Sequence, residues 1–508
     1  MAKTKRALLS VFDKTGLEPL ARGLIEHGYE LVASGGTATR LSEAGLAVTP
    51  VDKLTGYPAL LGGRVKTLHP AVFGPILARR SDAHLQELAE HDLAPIDVVV
   101  CNLYPFTDTV ARSGVSEADA IEQIDIGGVT LLRAAAKNFE AVSVICDPAD
   151  YEQALAELGS GALDLDRRRR LALKAFRHTA AYDAAIASWL GPKVDAADEL
   201  PAALRLAADR VQALRYGENP HQSAALFRWT AAAPPFEQLQ GKELSYNNFV
   251  DLDAAWQMPL EFEQPAVAII KHTNPCGLAC AETPVEAFRL ALESDPVSAF
   301  GSIIACNREV DGAFAEAIGK LFIEVLIAPG FTDEALTWLR KKKKNCRVVK
   351  AAAGAQPALG LRSVRGGLLC QAPDERGVDE STWRVVTERA PTEAERRGLA
   401  FAWLVVKHVK SNAIVFVRGT ATVGVGAGQM NRVDSVFLAA RRAGDRAKGA
   451  VMSSDAFFPF PDGLETAVEA GVTAVIQPGG SIRDEDVIAA ANRLGVAMVM
   501  TGERHFRH

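Results

Sequence analysis

Roughly the first 190 residues alternate short apolar runs with amphipathic segments, and this alternation restricts the fold more than any other feature of the chain. "RALLSVF" reads as a strand, "TGLEPLARGLIEHG" as a helix stopped by glycine, "YELVA" as a strand and "TATRLSEAGL" as a helix. "IDVVVCNLY" has no polar face, and "AVSVICD" repeats the pattern. A strand apolar on both sides must be covered on both sides. The alternation therefore predicts an α/β fold with a doubly wound, mostly parallel sheet, closed by a long helix over "RRRRLALKAFRHTAAYDAAIASWL".

"GPKVDAADELP" is polar with proline near both ends and reads as a linker, which sets expected domains at 1–198 and 199–508. The second region is again α/β. Strands are expected at "PAVAIIKH", "SIIACN", "VLIAP", "CRVVKA", "AIVFVRG" and "AVIQPG", and helices at "PVEAFRLALES", "EAERRGLAFAWLVVKHV" and "EDVIAAANRLG". Two clusters of strands suggest two subdomains, split near residues 370–390. With 508 residues the chain exceeds a single core. A net charge of -6 carries no nucleic-acid signature, and the runs Arg167–Arg170 and Lys341–Lys344 read as solvated faces. No apolar run approaches the ~20 residues of a membrane span. Seven scattered cysteines read as reduced thiols of a cytoplasmic enzyme.

Several loops concentrate chemistry. Ser10 and Lys14 follow the first strand, and Ser34, Gly35, Gly36 and Thr37 follow the second, at the sheet edge where helix N-termini offer free N–H groups to an anion. The same residues also serve simply as helix caps. "GGRVKTLHP" places Arg64, Lys66, Thr67 and His69 in a segment with no regular period, either a solvated basic loop or one wrapped around a phosphorylated ligand. Asn102 and Tyr104 lie just past the apolar strand, and Asp125 precedes Gly127 and Gly128 at a helix start. A straight helix from Gly128 to Lys137 is ~14 Å long, so spacing alone does not bring Lys137 to Asp125.

In the second region, "LRYGENPHQ" is a shaped loop whose Arg215 suits a phosphate. "AIIKHTNPCGLAC" reads as a buried strand ending at Lys271 and His272, followed by a Pro/Gly turn. The pair can be an inert strand end, or a proton-transfer pair with His272 as base. Zinc at His272, Cys276 and Cys280 is disfavoured because no further ligand pair has zinc spacing. "TVGVGAGQMNRVDS" is glycine-rich but is no dinucleotide fingerprint.

In this order, SGGT, GGRVKTLHP, CNLYPF, DIGG, RYGENPHQ, KHTNPCG, SNA, GAGQMNR and SDAFFPF resemble the motifs of the bifunctional purine-synthesis family that joins an AICAR formyltransferase to an IMP cyclohydrolase. The resemblance covers nearly the whole chain. It implies a methylglyoxal-synthase-like cyclohydrolase domain followed by a formyltransferase of two cytidine-deaminase-like subdomains without zinc. It further implies a homodimer with formyltransferase sites across the subunit contact, 10-formyltetrahydrofolate as formyl donor, AICAR and FAICAR as substrates, and no nucleic-acid or membrane partner. Carried over by position, Lys271 and His272 become the formyltransferase catalytic pair. Arg215, Tyr216, Gly301, Asn412, Arg432, Asp462 and Arg504 become nucleotide contacts, and Val433, Phe457, Ser481 and Ile482 folate contacts. In the cyclohydrolase, Lys137 becomes the proton-transfer residue, with Lys66, Tyr104 and Asp125 at the reacting groups. Ser10, Lys14, Ser34–Thr37, Arg64, Thr67, Asn102 and Gly127 hold the nucleotide. The chain departs from some family members at Gly330, where they carry an acid, and at Thr273-Asn274; both concern fine substrate contacts.

Overall fold

Strands β1 (Lys5–Ser10), β2 (Tyr29–Ala33), β3 (Val48–Pro50), β4 (Val98–Cys101) and β5 (Ser143–Ile145) form one sheet in the order β3-β2-β1-β4-β5. All four pairings are parallel. The order reverses direction beside β1, so the crevice beyond the carboxyl ends of β1 and β4 is the topological switch point, where open α/β sheets bind ligands. The computed structural model describes residues 5–161, 163–194, 200–229, 234–351 and 359–508. Contacts divide the chain into two units, Met1–Ala208 with Trp229–Ala231, and Asp209–Arg228 with Ala232–His508. Of the expected linker, residues 195–199 lie outside the described residues.

The first unit's core packs the strands under the helices Leu17–Glu26, Gly127–Lys137 and Leu165–Val194. The last contains the arginine run, which is not simply solvated. Arg167 is largely buried against Asp150 and Glu157, and Arg168 donates to the Phe139 and Leu163 carbonyls. Basic residues on an amphipathic helix lay their stems along the core and tether neighbouring loops.

In the second unit, among the described residues, β6 (Ala208–Leu214) pairs only with β7 (Ala224–Trp229), and β14 (Gly360–Val364) only with β15 (Gly367–Gln371). The other strands make one twelve-stranded sheet. Its first half holds β8 (Phe236–Gln240), β9 (Ala266–Lys271), β10 (Asn274–Cys280), β11 (Ser302–Cys306), β12 (Ile323–Ala328) and β13 (Arg347–Ala351). The second holds β16 (Arg384–Val385), β17 (Ile414–Arg418), β18 (Ala421–Gly426), β19 (Val451–Ser454), β20 (Ala474–Gln477) and β21 (Ala497–Met500).

The order β16-β21-β20-β19-β17-β18-β10-β9-β11-β12-β13-β8 reads alike from either end. In chain order each half opens with the edge strand that lies antiparallel at its outer rim, continues with a helix and an antiparallel hairpin, and closes with three parallel strands. The halves meet where β10 lies antiparallel to β18. Thr420 and Thr422 side chains stitch this seam: the Thr420 hydroxyl donates to the Cys280 carbonyl at 2.8 Å, and the Thr422 hydroxyl accepts from Leu278 N–H at 2.9 Å. Helices Tyr246–Gln257 and Glu393–Val406 cover one face in a shared core, while each half has its own core on the other face.

The registers place Gly277 opposite Ile269 and Gly424 opposite Phe416, equivalent positions in the two halves. A Cβ on Gly277 would stand 1.9 Å from the Ala291 carbonyl, and one on Gly424 2.1 Å from the Ala439 carbonyl. Gly424 and Gly426 of "GVGAG" thus let a helix backbone press onto a strand. The expected Pro/Gly turn after His272 is also corrected. Pro275 and Gly277 belong to β10, and the turn is His272-Thr273 itself, both residues left-handed with φ of 53° and 61°. Among the described residues no helix is long and apolar enough to cross a membrane.

Candidate active sites

The switch point of the first unit opens into a cavity of about 600 Å³. Its lining includes Ser10, Lys14, Ser34, Gly36, Thr37, Arg64, Lys66, Thr67, Asn102, Tyr104, Asp125 and Gly127. Asn102, at the end of β4, accepts Phe12 N–H at 2.6 Å and Asp13 N–H at 2.9 Å, and so shapes the loop after β1. Thr37 accepts Val11 N–H at 3.1 Å, and Ser10 and Ser34 hydroxyls meet at 2.7 Å. The helices Gly35–Glu43 and Gly127–Lys137 both begin at this cavity, so two sets of free N–H groups and the Lys14 and Lys66 ammoniums converge there. Burial, followed by the nearby Lys66 charge, pulls the Lys14 ammonium below its ordinary range.

The glycines here are dictated by their neighbours. Gly35 has a left-handed φ of 43°, and a Cβ on it would stand 3.3 Å from the Lys66 Nζ. A Cβ on Gly127 would meet the Thr67 hydroxyl at 2.9 Å, and one on Gly128 the Asp125 carboxylate at 2.6 Å. Asp125 accepts Gly128 N–H at 2.7 Å, and its own N–H donates to the Tyr182 hydroxyl at 2.9 Å. Burial pushes its carboxyl above the usual range, against the opposing pull of the Gly128 N–H, the Tyr104 backbone and the Lys66 charge. Tyr104 packs edge-on against Phe12 at 5.5 Å. Arg64 is ion-paired with Glu122, another lining residue. Lys137 is placed elsewhere: it is exposed in the last turn of its helix, about 15 Å along the axis from Gly127, and is not among the lining residues.

In the second unit the Lys271–Asn274 turn is braced from below. Asp251 accepts Thr273 N–H at 2.7 Å and His272 N–H at 3.3 Å. Lys271 Nζ donates to the Phe300 carbonyl at 2.8 Å, beside Gly301, whose φ is 75°. Asn274 accepts Lys410 N–H at 3.0 Å, two residues before Asn412. Arg432 donates from Nη2 to Asn412 Oδ1 at 2.8 Å and from Nη1 to Ser454 Oγ at 2.7 Å and Asp455 Oδ1 at 2.5 Å.

Hydrogen bonds and the short Lys410–Asn412 segment thus connect, in one polar chain, the Lys271-His272 turn, the Phe300 carbonyl beside Gly301, Asn412 and Arg432. Val433 adjoins Arg432, and Phe457 follows on the loop from Asp455. Arg215 and Tyr216 stand on a separate loop, which touches the Asp251 helix through Asn247 Nδ2 to the Glu218 carbonyl at 3.3 Å. Asp462 starts the helix Asp462–Glu469, Ser481 and Ile482 form a turn past β20, and Arg504 lies over Phe506 at 4.5 Å. Of these, the tail that carries Arg504 is tied to the polar chain through His505 N–H, which donates to the Asp455 carbonyl at 3.0 Å, while the other side chains are not tied to it by the described hydrogen bonds. Beside Gly330, Glu309 Oε1 lies 3.1 Å from where a Cβ would stand. Asp251, and Asp455 within the motif SDAFFPF, are members of the site that carried no role in the sequence reading. Among the described residues no group of three or more His, Cys, Asp or Glu side chains is arranged to hold a metal.

The family described as "AICARFT/IMPCHase bienzyme" matches residues 135–442, and the MGS-like domain matches residues 16–130. The chain belongs to the AICARFT/IMPCHase bienzyme family. Membership makes it a bifunctional enzyme of purine biosynthesis, a formyltransferase and an IMP cyclohydrolase in one chain. It is similar to the bifunctional purine biosynthesis protein PurH of Chloroflexus aurantiacus, 55% identical over 515 residues, covering 99% of this chain and 98% of that one. The PurH of Desulfitobacterium hafniense is 52% identical over 517 residues, covering 99% of this chain and all of its own. The MGS-like match spans β2, β3 and β4 of the parallel sheet and most of the residues that line the cavity.

Proposed function

We propose that the two activities of this bienzyme reside at the two places described, and that they are the last two steps to inosinate. The strongest support is the 600 Å³ cavity, in which two helix N-termini and two lysines converge beside a tyrosine and a buried carboxylate. That is a cradle for the phosphate of FAICAR with acid–base groups at the other end. There the carboxamide nitrogen attacks the formyl carbon, Asp125 takes the nitrogen's proton, and Lys66 and Tyr104 supply hydrogen bonds to the oxygen that gathers charge. That attack closes the ring; the oxygen then leaves as water, taking up the proton held by Asp125 and the one released by the formamide nitrogen as its C=N bond forms. Lys137 has no part in this reading, because it stands outside the cavity.

Formyl transfer takes place at the His272 turn. The amine of AICAR attacks the formyl carbon of 10-formyltetrahydrofolate, and His272 accepts the amine proton. The carbon–N10 bond then breaks, its electron pair stays on N10, and a proton delivered there completes tetrahydrofolate. Lys271 stabilises the charge that develops on the formyl oxygen. Val433, Phe457 and Ile482 offer apolar surface to the pterin. Arg215, Tyr216, Arg504 and Asp462 complete the nucleotide site, with Ser481 on the folate side.

The chain acts as a cytoplasmic homodimer in this reading. Supporting a second copy, the lone hairpin β14–β15 exposes Val364, Leu368 and Leu369, and an isolated two-stranded hairpin is marginal in water. Supporting the compartment, all seven cysteines are free thiols.

The test is an ultraviolet assay of the purified protein with AICAR and 10-formyltetrahydrofolate, with products separated. Inosinate and tetrahydrofolate in equal amounts are expected. FAICAR accumulating alone would reduce the first cavity to a binding site, and tight nucleotide binding without turnover would make the chain a sensor.

A further inference from the structure

The two halves of the large sheet share a position whose chemistry differs. Asn307 follows β11 and Asp455 follows β19, one residue past the equivalent pairs Cys306–Val267 and Ser454–Ile414. Both make the same main-chain contact: Asn307 N–H donates to the Ala266 carbonyl at 3.2 Å, and Asp455 N–H to the Ala413 carbonyl at 3.3 Å. In the first half the side chain is neutral and serves the backbone alone. Asn307 accepts Ala266 N–H at 2.8 Å and donates to the Pro259, Phe262 and Gln264 carbonyls. The fold therefore needs no charge at this position.

In the second half the carboxylate is retained although it has no solvent exposure. Burying it is unfavourable unless it is fully paired. Its two oxygens go to two different segments. Oδ1 holds the Arg432 guanidinium at 2.5 Å, and Oδ2 accepts the Ser411 hydroxyl at 2.5 Å. Its carbonyl accepts His505 N–H at 3.0 Å, next to Arg504. Arg432 then spends its other nitrogen on Asn412 Oδ1. This leaves Asn412 Nδ2 donating to the Gln429 carbonyl at 2.9 Å and fixes which way the amide faces.

We propose that Asp455 is the positioning residue of the formyltransferase site. Its buried carboxylate fixes Arg432 from one side and the Ser411-Asn412 segment from the other, and its carbonyl holds the tail that carries Arg504, so that the nucleotide contacts are aligned before AICAR arrives. Binding energy is then not consumed in ordering them. This rests on the nucleotide roles given above to Asn412, Arg432 and Arg504.

The test is Asp455→Asn in the full-length protein, a change that gives this half the side-chain type the other half already carries. KM for AICAR is expected to rise about 10-fold or more, while KM for 10-formyltetrahydrofolate and ring closure of preformed FAICAR stay within about twofold; one lost charge-assisted contact sets that scale. A merely structural role would move both KM values together or neither. Asp455→Glu, which keeps the charge, is expected to recover part of the AICAR affinity, and no recovery overturns the proposal. A wild-type KM for AICAR in a folded Asp455→Asn protein also overturns it. If that variant does not fold, Ser411→Ala removes one arm without touching the ion pair. A two- to threefold rise in the AICAR KM alone is then expected, and no rise overturns the proposal. A wild-type enzyme that never formylates AICAR would instead refute the functional reading on which the inference rests.

Discussion

The two halves of the large sheet each turn a hairpin at the same place, Lys271–Asn274 in one and Arg418–Ala421 in the other. In the second half the turn is Gly419-Thr420, and only the glycine has a left-handed φ, 59°. In the first half it is His272-Thr273, and both residues are left-handed. A two-residue hairpin with positive φ at both positions normally carries Asn or Gly there. An imidazole and a β-branched threonine instead place about 1–2 kcal/mol of backbone strain in each residue. The Asp251 carboxylate, accepting both N–H groups, holds that turn in place. A fold that makes the same turn with glycine has shown what the turn needs for stability, so the histidine is there for something else.

Replacing His272 by glycine gives the first half the second half's solution. Formyl transfer should fall by roughly 10²-fold or more if the imidazole moves the amine proton. Stability should change by less than about 1 kcal/mol, because relief of left-handed strain offsets the added chain entropy of glycine. Steady-state rates and urea melts on one preparation check both, and a near-wild-type rate would reduce His272 to a turn former. Next in size, Gly277→Ala and Gly424→Ala should each destabilise by about 1–3 kcal/mol, since both place a methyl against a helix carbonyl. Chemical denaturation that gives clearly unequal losses would break the equivalence of the halves. The smallest effect is expected for Gly419→Ala: about 1 kcal/mol of stability from a left-handed alanine, with the formylation rate unchanged. A large fall in that rate would mean that the second hairpin also serves the reaction.

The first unit was legible because parallel strands covered on both faces leave uninterrupted apolar runs, and each is followed by a helix of ordinary period. Its cavity was legible too. Lys66, Tyr104 and Asp125 lie 21 or more residues apart, but Lys66 stands in an aperiodic loop after a glycine pair, Tyr104 just past an apolar strand, and Asp125 just before the glycines that open a helix. The second unit was less readable. Pro275 and Gly277 carry the composition of a turn yet lie in β10, because nothing in a sequence marks a His-Thr pair as left-handed. Gly424 and Gly426 belong to a glycine-rich run that matches no dinucleotide fingerprint, and they answer instead to the backbone of a helix that starts at Arg432. The duplication itself is hidden, since Lys271-His272-Thr273 and Arg418-Gly419-Thr420 share only the threonine. Asp251 was not marked by any motif, and Asp455 sits in SDAFFPF without a role of its own, because the importance of both lies in contacts between segments far apart in sequence.

The seam between β10 and β18 has a consequence for how the molecule can be made. Leu278 and Thr422, whose side-chain and main-chain groups close it, are 144 positions apart. Until they meet, each half presents a raw strand edge at what will be the middle of the sheet, the kind of surface on which chains aggregate. Neither half is a self-sufficient module, however complete its own strands and helices look. The duplicated unit should therefore fold and unfold as one cooperative body, and a cut between the halves would release two fragments that seek each other or precipitate.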